Sequence, residues 1–320
     1  MGVTTTSELV LSPPPRHLPT DQAALRAVAY ADVFEYPLLA AEVHRYLHGA
    51  TASPEATAEA LAWCSTSGHA LSCTDGYYTL PGRERLVDLR RRRTAFARQL
   101  WPAAIKYARL IAGLPFVRMV AVTGSLAWDN VAGGADIDYM IVTEPDRLWL
   151  CRWLVAALRR VAHRDGVSLC PNYVVSMRAL ALADRDLYTA YELARMTPIA
   201  GLGTYRRLRR ANPWTIEFLP NTEGPPPRPP HTDTHAASTR THRALARLAR
   251  LGERAMRSPL GAVLERGEMT YRIRKRATQG VAQIEASYSR DWYKEHTSGH
   301  RYRAMAAFAD RIEGLAARVR

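Results

Sequence analysis

Near the start of the chain, apolar residues recur at helical spacing in three short stretches. After Asp21, a residue type that caps helices, Leu25, Val28 and Ala29 share one face until Tyr36-Pro37 ends the run. Leu39, Val43, Tyr46 and Leu47 make a second face, and Ser53-Pro54-Glu55 opens a third helix with serine as the cap and proline in the first turn. From Ala70 to Leu80 the apolar period drops to two around Asp75-Gly76, which predicts a β-hairpin. Three short helices and a hairpin predict a winged-helix module over residues 21–81. One long helix crowded with arginine, over 82–112, follows it.

The pattern changes again at residues 113–180. Two β-branched, apolar runs, 117–122 and 137–143, flank a glycine-containing segment, then a helical stretch over 145–163 leads to a third strand over 167–176. This alternation predicts an α/β core with a mixed sheet. Residues 181–320 read as helical, from Leu180 to about Ala211 with one helix over Asp186 to Met196, and are interrupted by a proline, histidine and threonine tract at 221–241. That tract reads as a surface loop, and its His231, His235 and neighbouring His242 as solvated side chains instead of metal ligands. Residues 1–20 are polar and proline-rich and read as a disordered arm. The expected fold class is α+β, with an N-terminal winged-helix module, a central mixed-sheet domain and a C-terminal helical region.

A chain of 320 residues with 47% apolar content is long enough for two or three packed units. Its start has no basic segment followed by an apolar run, and the apolar helix over 148–158 is cut by Arg152 and followed by Arg159 and Arg160. A cytoplasmic protein with no membrane partner is expected. Cys64, Cys73, Cys151 and Cys170 are scattered without metal-ligand spacing and read as small buried residues. The net charge of +14 favours phosphate-bearing partners. Only Lys106, Lys275 and Lys294 are lysines, however, so the basicity is an arginine bias more than a localised patch. The densest clusters, Arg90, Arg91, Arg92 and Arg93 and then Arg206, Arg207, Arg209 and Arg210, read as solvated helix faces, with an RNA surface as the alternative.

The chemistry concentrates in residues 116–143, FVRMVAVTGSLAWDNVAGGADIDYMIVT. A strand ends at Thr123-Gly124-Ser125, where glycine allows close backbone approach and a helix start offers N–H groups and a hydroxyl to an anion. Ten residues later come Asp136 and Asp138, at i and i+2 of a strand, so both carboxylates project to one face. Two carboxylates held so close repel unless a cation lies between them, and Mg²⁺ takes hard oxygen ligands. No Walker A loop, Rossmann glycine fingerprint or GxSxG elbow competes with this segment.

In these residues the chain resembles the DNA polymerase beta-type nucleotidyltransferase superfamily, whose signature is a Gly-Ser turn followed after about ten residues by Asp-x-Asp. With ADVFEYPL, LCPNYVVS and LYTAYELARM, the layout is similar to bacterial nucleotidyltransferase-domain proteins that place a winged-helix module first. The resemblance implies that Gly124 and Ser125 hold the phosphates of an NTP such as ATP. It implies that Asp136 and Asp138 are catalytic and bind Mg²⁺, with two ions in the active complex, and that NMP passes to an acceptor with pyrophosphate release. Two departures stand out. Ala135 replaces a common serine, and the third strand, VSLCPNYVVS, lacks an acid, so either Asn172 stands in as a metal ligand, or an acid from outside the strand such as Glu192 approaches the site, or the site is weakened.

Glu192, on the helix that starts near Asp186, is the candidate general base, against the alternative of a surface ion pair with Arg195 at i+3. The third N-terminal helix carries Glu55 and Glu59 without a basic residue, which argues against sequence-specific DNA reading. A small molecule such as a sugar, antibiotic or metabolite is the expected acceptor, with RNA, especially tRNA, or protein hydroxyls as alternatives. A regulatory protein that has lost catalysis is the competing reading. Trp214, Trp292, Tyr293 and Tyr302 read as core aromatics.

Overall fold

The computed structural model describes residues 18–67, 69–226, 239–278, 287–294 and 299–319. The arm expected at 1–20 lies outside them up to residue 17, as do His231, His235 and the side chain of His242.

Helix α1 (Thr20–Val33) buries Ala23, Ala24, Ala27, Val28 and Tyr30. Asp21 does not cap it. Pro19 stands at the cap position, and Asp21 falls inside the first turn, where its charge still suits the helix dipole. Strand β1 (Leu38–Leu39) leads into α2 (Ala40–Arg45), and Ser53 Oγ accepts the Ala56 N–H at 3.1 Å to open α3 (Pro54–Thr66). Strands β2 (Ser72–Thr74) and β3 (Tyr77–Thr79) pair around Asp75 and Gly76, whose φ values of 52° and 79° are those of a tight hairpin turn. With β1 on its other side, β3 is the middle of a three-stranded antiparallel sheet.

The 27-residue α4 (Leu86–Ala112) then crosses to a larger, mixed sheet. Its strands are β4 (Val117–Val122), β5 (Ile137–Thr143) and β6 (Leu169–Ser176), with the one-turn α5 (Gly124–Ala127) after β4 and α6 (Leu148–Arg164) between β5 and β6. Strands β5 and β6 are parallel; β4 runs antiparallel to β5. Period-two alternation sends Met119, Ala121, Met140 and Val142 to one face and Val120, Val122, Ile137, Tyr139 and Ile141 to the other. The second face is covered by α4 and α6, and Tyr139 Oη donates to the Ala104 carbonyl on α4 at 2.7 Å. The first is covered by α7 (Leu187–Arg195).

The helix expected over Asp186 to Met196 is present as α7, but the helical reading from Leu180 to about Ala211 is broken after it. Strand β7 (Thr197–Ala200) separates α7 from α8 (Leu202–Ala211) and pairs with β4 as a sheet edge. Pro198 ends the helical hydrogen-bond ladder, and an edge strand tolerates it. After α9 (Thr215–Phe218), α10 (Thr239–Met256) and α11 (Pro259–Thr278), two more short strands, β8 (Ser287–Tyr288) and β9 (Trp292–Lys294), extend the opposite edge through β6. The region read as purely helical thus supplies both sheet edges. Period-two evidence is too thin in strands of two to four residues to stand out from helical neighbours.

The last helix, α12 (His300–Val319), returns to the N-terminal module, where Arg311 pairs with Asp32 at 2.7 Å and Phe308 meets the Tyr30 ring edge-on. One apolar cluster therefore runs from α1 through α7 to α12. Among the described residues, no helix is long and apolar enough to cross a membrane.

Candidate active site

Strand β4 ends where Thr123 N–H donates to the Asp138 carbonyl at 3.0 Å, so the turn after it is laid against β5. Gly124 adopts φ +61°, and a Cβ there would lie 2.1 Å from Asp138 Oδ2. Only glycine lets the backbone pass this carboxylate.

Asp138 shares a sheet face with Met140 and Val142, under α7. Asp136 sits two residues earlier, exposed, just ahead of the strand, and its charge reaches Asp138. Asn172 Nδ2 donates to Asp138 Oδ1 at 3.0 Å, and the Cys170 thiol, the parallel-strand partner of Asp138, also hydrogen-bonds to it. A carboxylate only accepts, so the amide nitrogen of Asn172 must face it. Asn172, expected as an oxygen ligand, here turns a donor to Asp138 and orients it.

Glu192 arrives from α7. Asp186 caps that helix by accepting the Thr189 N–H at 2.8 Å, and Tyr191 stacks on Tyr30 with centroids 4.0 Å apart. So anchored, α7 holds Glu192 half-buried, where its carboxylate accepts the Gly124 N–H. Two expectations change here. The Gly124 N–H, expected to be free for a phosphate, is engaged by Glu192, and α5 after it is a single turn. Among the described residues, the surface ion pair of Glu192 with Arg195 is not formed either: Arg195 is buried, and its side chain is packed among aromatic rings. Its guanidinium lies over Trp128, with Tyr191 at 4.4 Å and Tyr46 at 4.5 Å from the ring centroids. Buried cations on aromatic faces interact through the ring quadrupole.

These placements crowd carboxylates together in a partly shielded site. Burial, then Glu192, then Asp136 push the Asp138 carboxyl up to about 7. Burial likewise raises Glu192 to about 7, against the opposing charge of Arg195 and the Gly124 N–H. Hard oxygens in mutual repulsion form a donor set suited to Mg²⁺. Among the described residues, no group of three or more His, Cys, Asp or Glu side chains forms a ready-made metal cage. Asp136 and Asp138 can hold an ion if substrate phosphates and water complete its shell.

Beside Glu192 lies a cavity of about 50 Å³, lined by Thr123, Asn172, Tyr188, Lys294 and Arg301. Lys294 and Arg301 are both tied to Asp184, and Arg301 also to Asp186 at 2.7 Å. No local pattern announces these two cations, which come from β9 and α12, over a hundred residues beyond Glu192. Cys170 was legible only as a strand residue. Ser125 stands half-buried, its carbonyl accepting the Asn130 N–H at 2.9 Å. Of the aromatics, Trp214 and Tyr293 are buried, whereas Trp292 and Tyr302 are exposed. Cys64 and Cys151 are buried, and Cys73 is exposed.

No family model, no curated protein and no solved structure matches the chain.

Proposed function

We propose that the chain is a Mg²⁺-dependent nucleotidyltransferase that moves NMP from an NTP to a hydroxyl-bearing acceptor and releases pyrophosphate. The observation that carries this reading is the positive-φ Gly124 laid against Asp138, with Asp136 and Glu192 at the same place. On this reading the mixed sheet is the nucleotidyltransferase core. The three helices with the β1-β3-β2 sheet are a winged helix used as a buttress for α7, since its third helix has no basic residue to present to DNA.

Asp136 and Asp138 would hold Mg²⁺, whose chemistry is to neutralise phosphate charge and acidify the acceptor hydroxyl. Glu192 takes the acceptor proton as the oxygen attacks the α-phosphorus and the bond to the β-phosphate breaks. A carboxylate held near 7 suits that task at neutral pH. Asn172 and Cys170 orient Asp138 by donating to it. A catalytically silent binding protein is the second reading, favoured by Cys170 standing opposite Asp138 on β6 without an acid there.

The test is pyrophosphate release from each NTP with Mg²⁺ and pooled cell metabolites or RNA. Asp138→Ala is expected to abolish it with the fold intact. Glu192→Gln, which keeps an acceptor for the Gly124 N–H, should lower turnover by a factor on the order of 10² to 10⁴ with NTP affinity retained. Wild-type turnover in Asp138→Ala would sink the assignment; no release with any NTP would favour the silent reading.

A further inference from the structure

Between α6 and α11 the surface forms a concavity of about 530 Å³ lined by Arg152, Arg159, Arg160, His163, Arg164 and Arg272. Arg159, Arg160, His163 and Arg164 are exposed. The neighbouring carboxylates already have partners: Glu268 holds Arg272 at 2.6 Å and Arg152 at 3.8 Å, and Asp165 holds Lys106 and Tyr107. A helix C-terminus attracts positive charge, but its dipole amounts to only about half an elementary charge. Four basic side chains in the last two turns of α6 exceed that.

The concavity adjoins the candidate active site. Ser168, in its lining, accepts the Ile137 N–H at 2.9 Å, and Ile137 directly follows Asp136. The charge of Arg159 is felt at Cys170, the same thiol that senses Asp136 and Asp138. Along α6, Trp153 is 52% exposed and shares a stripe with Arg160 and Arg164, seven and eleven residues on. Eleven residues of helix span roughly 16 Å, a length that suits several nucleotides better than one triphosphate. An aromatic set beside a track of arginines is how proteins hold single strands, by stacking bases while cations follow the phosphates.

We infer that this arginine-lined concavity binds the phosphodiester backbone of a single-stranded polynucleotide and directs its terminal hydroxyl toward Asp136. Naming that hydroxyl as the acceptor rests on the transferase reading; the binding surface does not.

The test uses the full chain without Mg²⁺ or NTP, so that a failure of catalysis cannot mask the result. Fluorescence anisotropy with a labelled twelve-nucleotide single-stranded RNA, and with DNA of the same sequence, is titrated across salt concentrations; ATP affinity is measured in parallel. Replacing Arg159, Arg160 and Arg164 together by alanine should weaken oligonucleotide binding at least tenfold. It should also lower the slope of log affinity against log salt by about 2, at about 0.7 for each single-strand phosphate that is no longer neutralised, with ATP affinity within twofold. The Arg206→Ala, Arg207→Ala variant on α8 should bind as wild type does. A preference between the RNA and DNA arms identifies the natural strand. Unchanged oligonucleotide affinity in the triple variant overturns the inference, as does loss of ATP binding with oligonucleotide binding intact, which would give the arginines to a triphosphate.

Discussion

Two arginine-rich stretches, one at the start of α4 and one at the end of α6, look alike in sequence and end in opposite surroundings. On α4, Arg90 is buried: its guanidinium donates to the Pro37 carbonyl at 2.6 Å and to Glu42 at 2.9 Å, and lies 3.6 Å from the Tyr36 ring centroid. Arg93 reaches Glu35, the Phe34 carbonyl and Asn130, while Arg91 pairs with Asp75. Of the run expected to be a solvated face, or an RNA surface, Arg91 and Arg92 are exposed, whereas Arg90 and Arg93 tie α4 to the N-terminal module and, through Asn130, that module to the sheet domain. On α6, Arg159, Arg160 and Arg164 point into an open concavity beside Asp136. The difference teaches that a charge run has no fixed role. Its role is set by the carboxylates and carbonyls that distant segments bring to it.

The largest effect expected from this contrast is on stability. Arg90→Ala removes the cation that pairs with Glu42 and the donor to the Pro37 carbonyl, and should cost about 2–4 kcal/mol in denaturant unfolding. Its oligonucleotide affinity should stay as in wild type. A loss below about 0.5 kcal/mol, the range of ordinary surface changes, would mean that the tie does not hold the module.

A second expectation concerns the same docked module and pH. His48 is fully buried, with Nε2 2.8 Å from Tyr191 Oη, and is faced by Tyr30 and Arg26 on α1, Arg195 on α7 and Phe308 on α12. Burial first, then the charges of Arg26 and Arg195, hold its imidazole well below the usual 6.5. The folded state resists a proton that the unfolded chain accepts. The stabilisation from this group is therefore complete above pH 6.5 and is lost as the pH falls below it, by up to about 1.4 kcal/mol per pH unit. Urea unfolding between pH 7.5 and pH 5 in wild type and His48→Gln measures this. The variant should flatten the lower part of the curve, and an equal slope in both proteins would place His48 outside the docked interface.

The smallest effect belongs to the other stretch. Arg160→Ala should change unfolding free energy by less than about 0.5 kcal/mol, because its head group is exposed. A loss comparable to that of Arg90→Ala would erase the contrast.

Much of the local architecture was legible because its signals are short-range. Ser53 before Pro54, Asp75-Gly76 between alternating residues, and the apolar strands at 117–122 and 137–143 depend on neighbours in sequence. The same holds for Gly124, Ser125, Asp136 and Asp138, which lie within fifteen residues of one another. Glu192 could be nominated from its place on an amphipathic helix, but nothing local indicated that it would accept the Gly124 N–H. The edge strands β7, β8 and β9 were missed because so few residues carry their pattern.

By itself, the sequence determined the α+β class, the hairpin, the alternation that sorts β4 and β5 into two faces, and the glycine and aspartates of the turn. Each follows from backbone sterics and side-chain period over a few residues. Only the tertiary structure decided that Asp138 and Glu192 come together at the Gly124 turn, that Arg195 is held by aromatic rings, and which arginines meet carboxylates. Burial and charge pairing depend on segments over fifty residues apart, as with Arg90 and Pro37 or Gly124 and Glu192. A group's solvation, and with it its charge, is a property of everything packed around it.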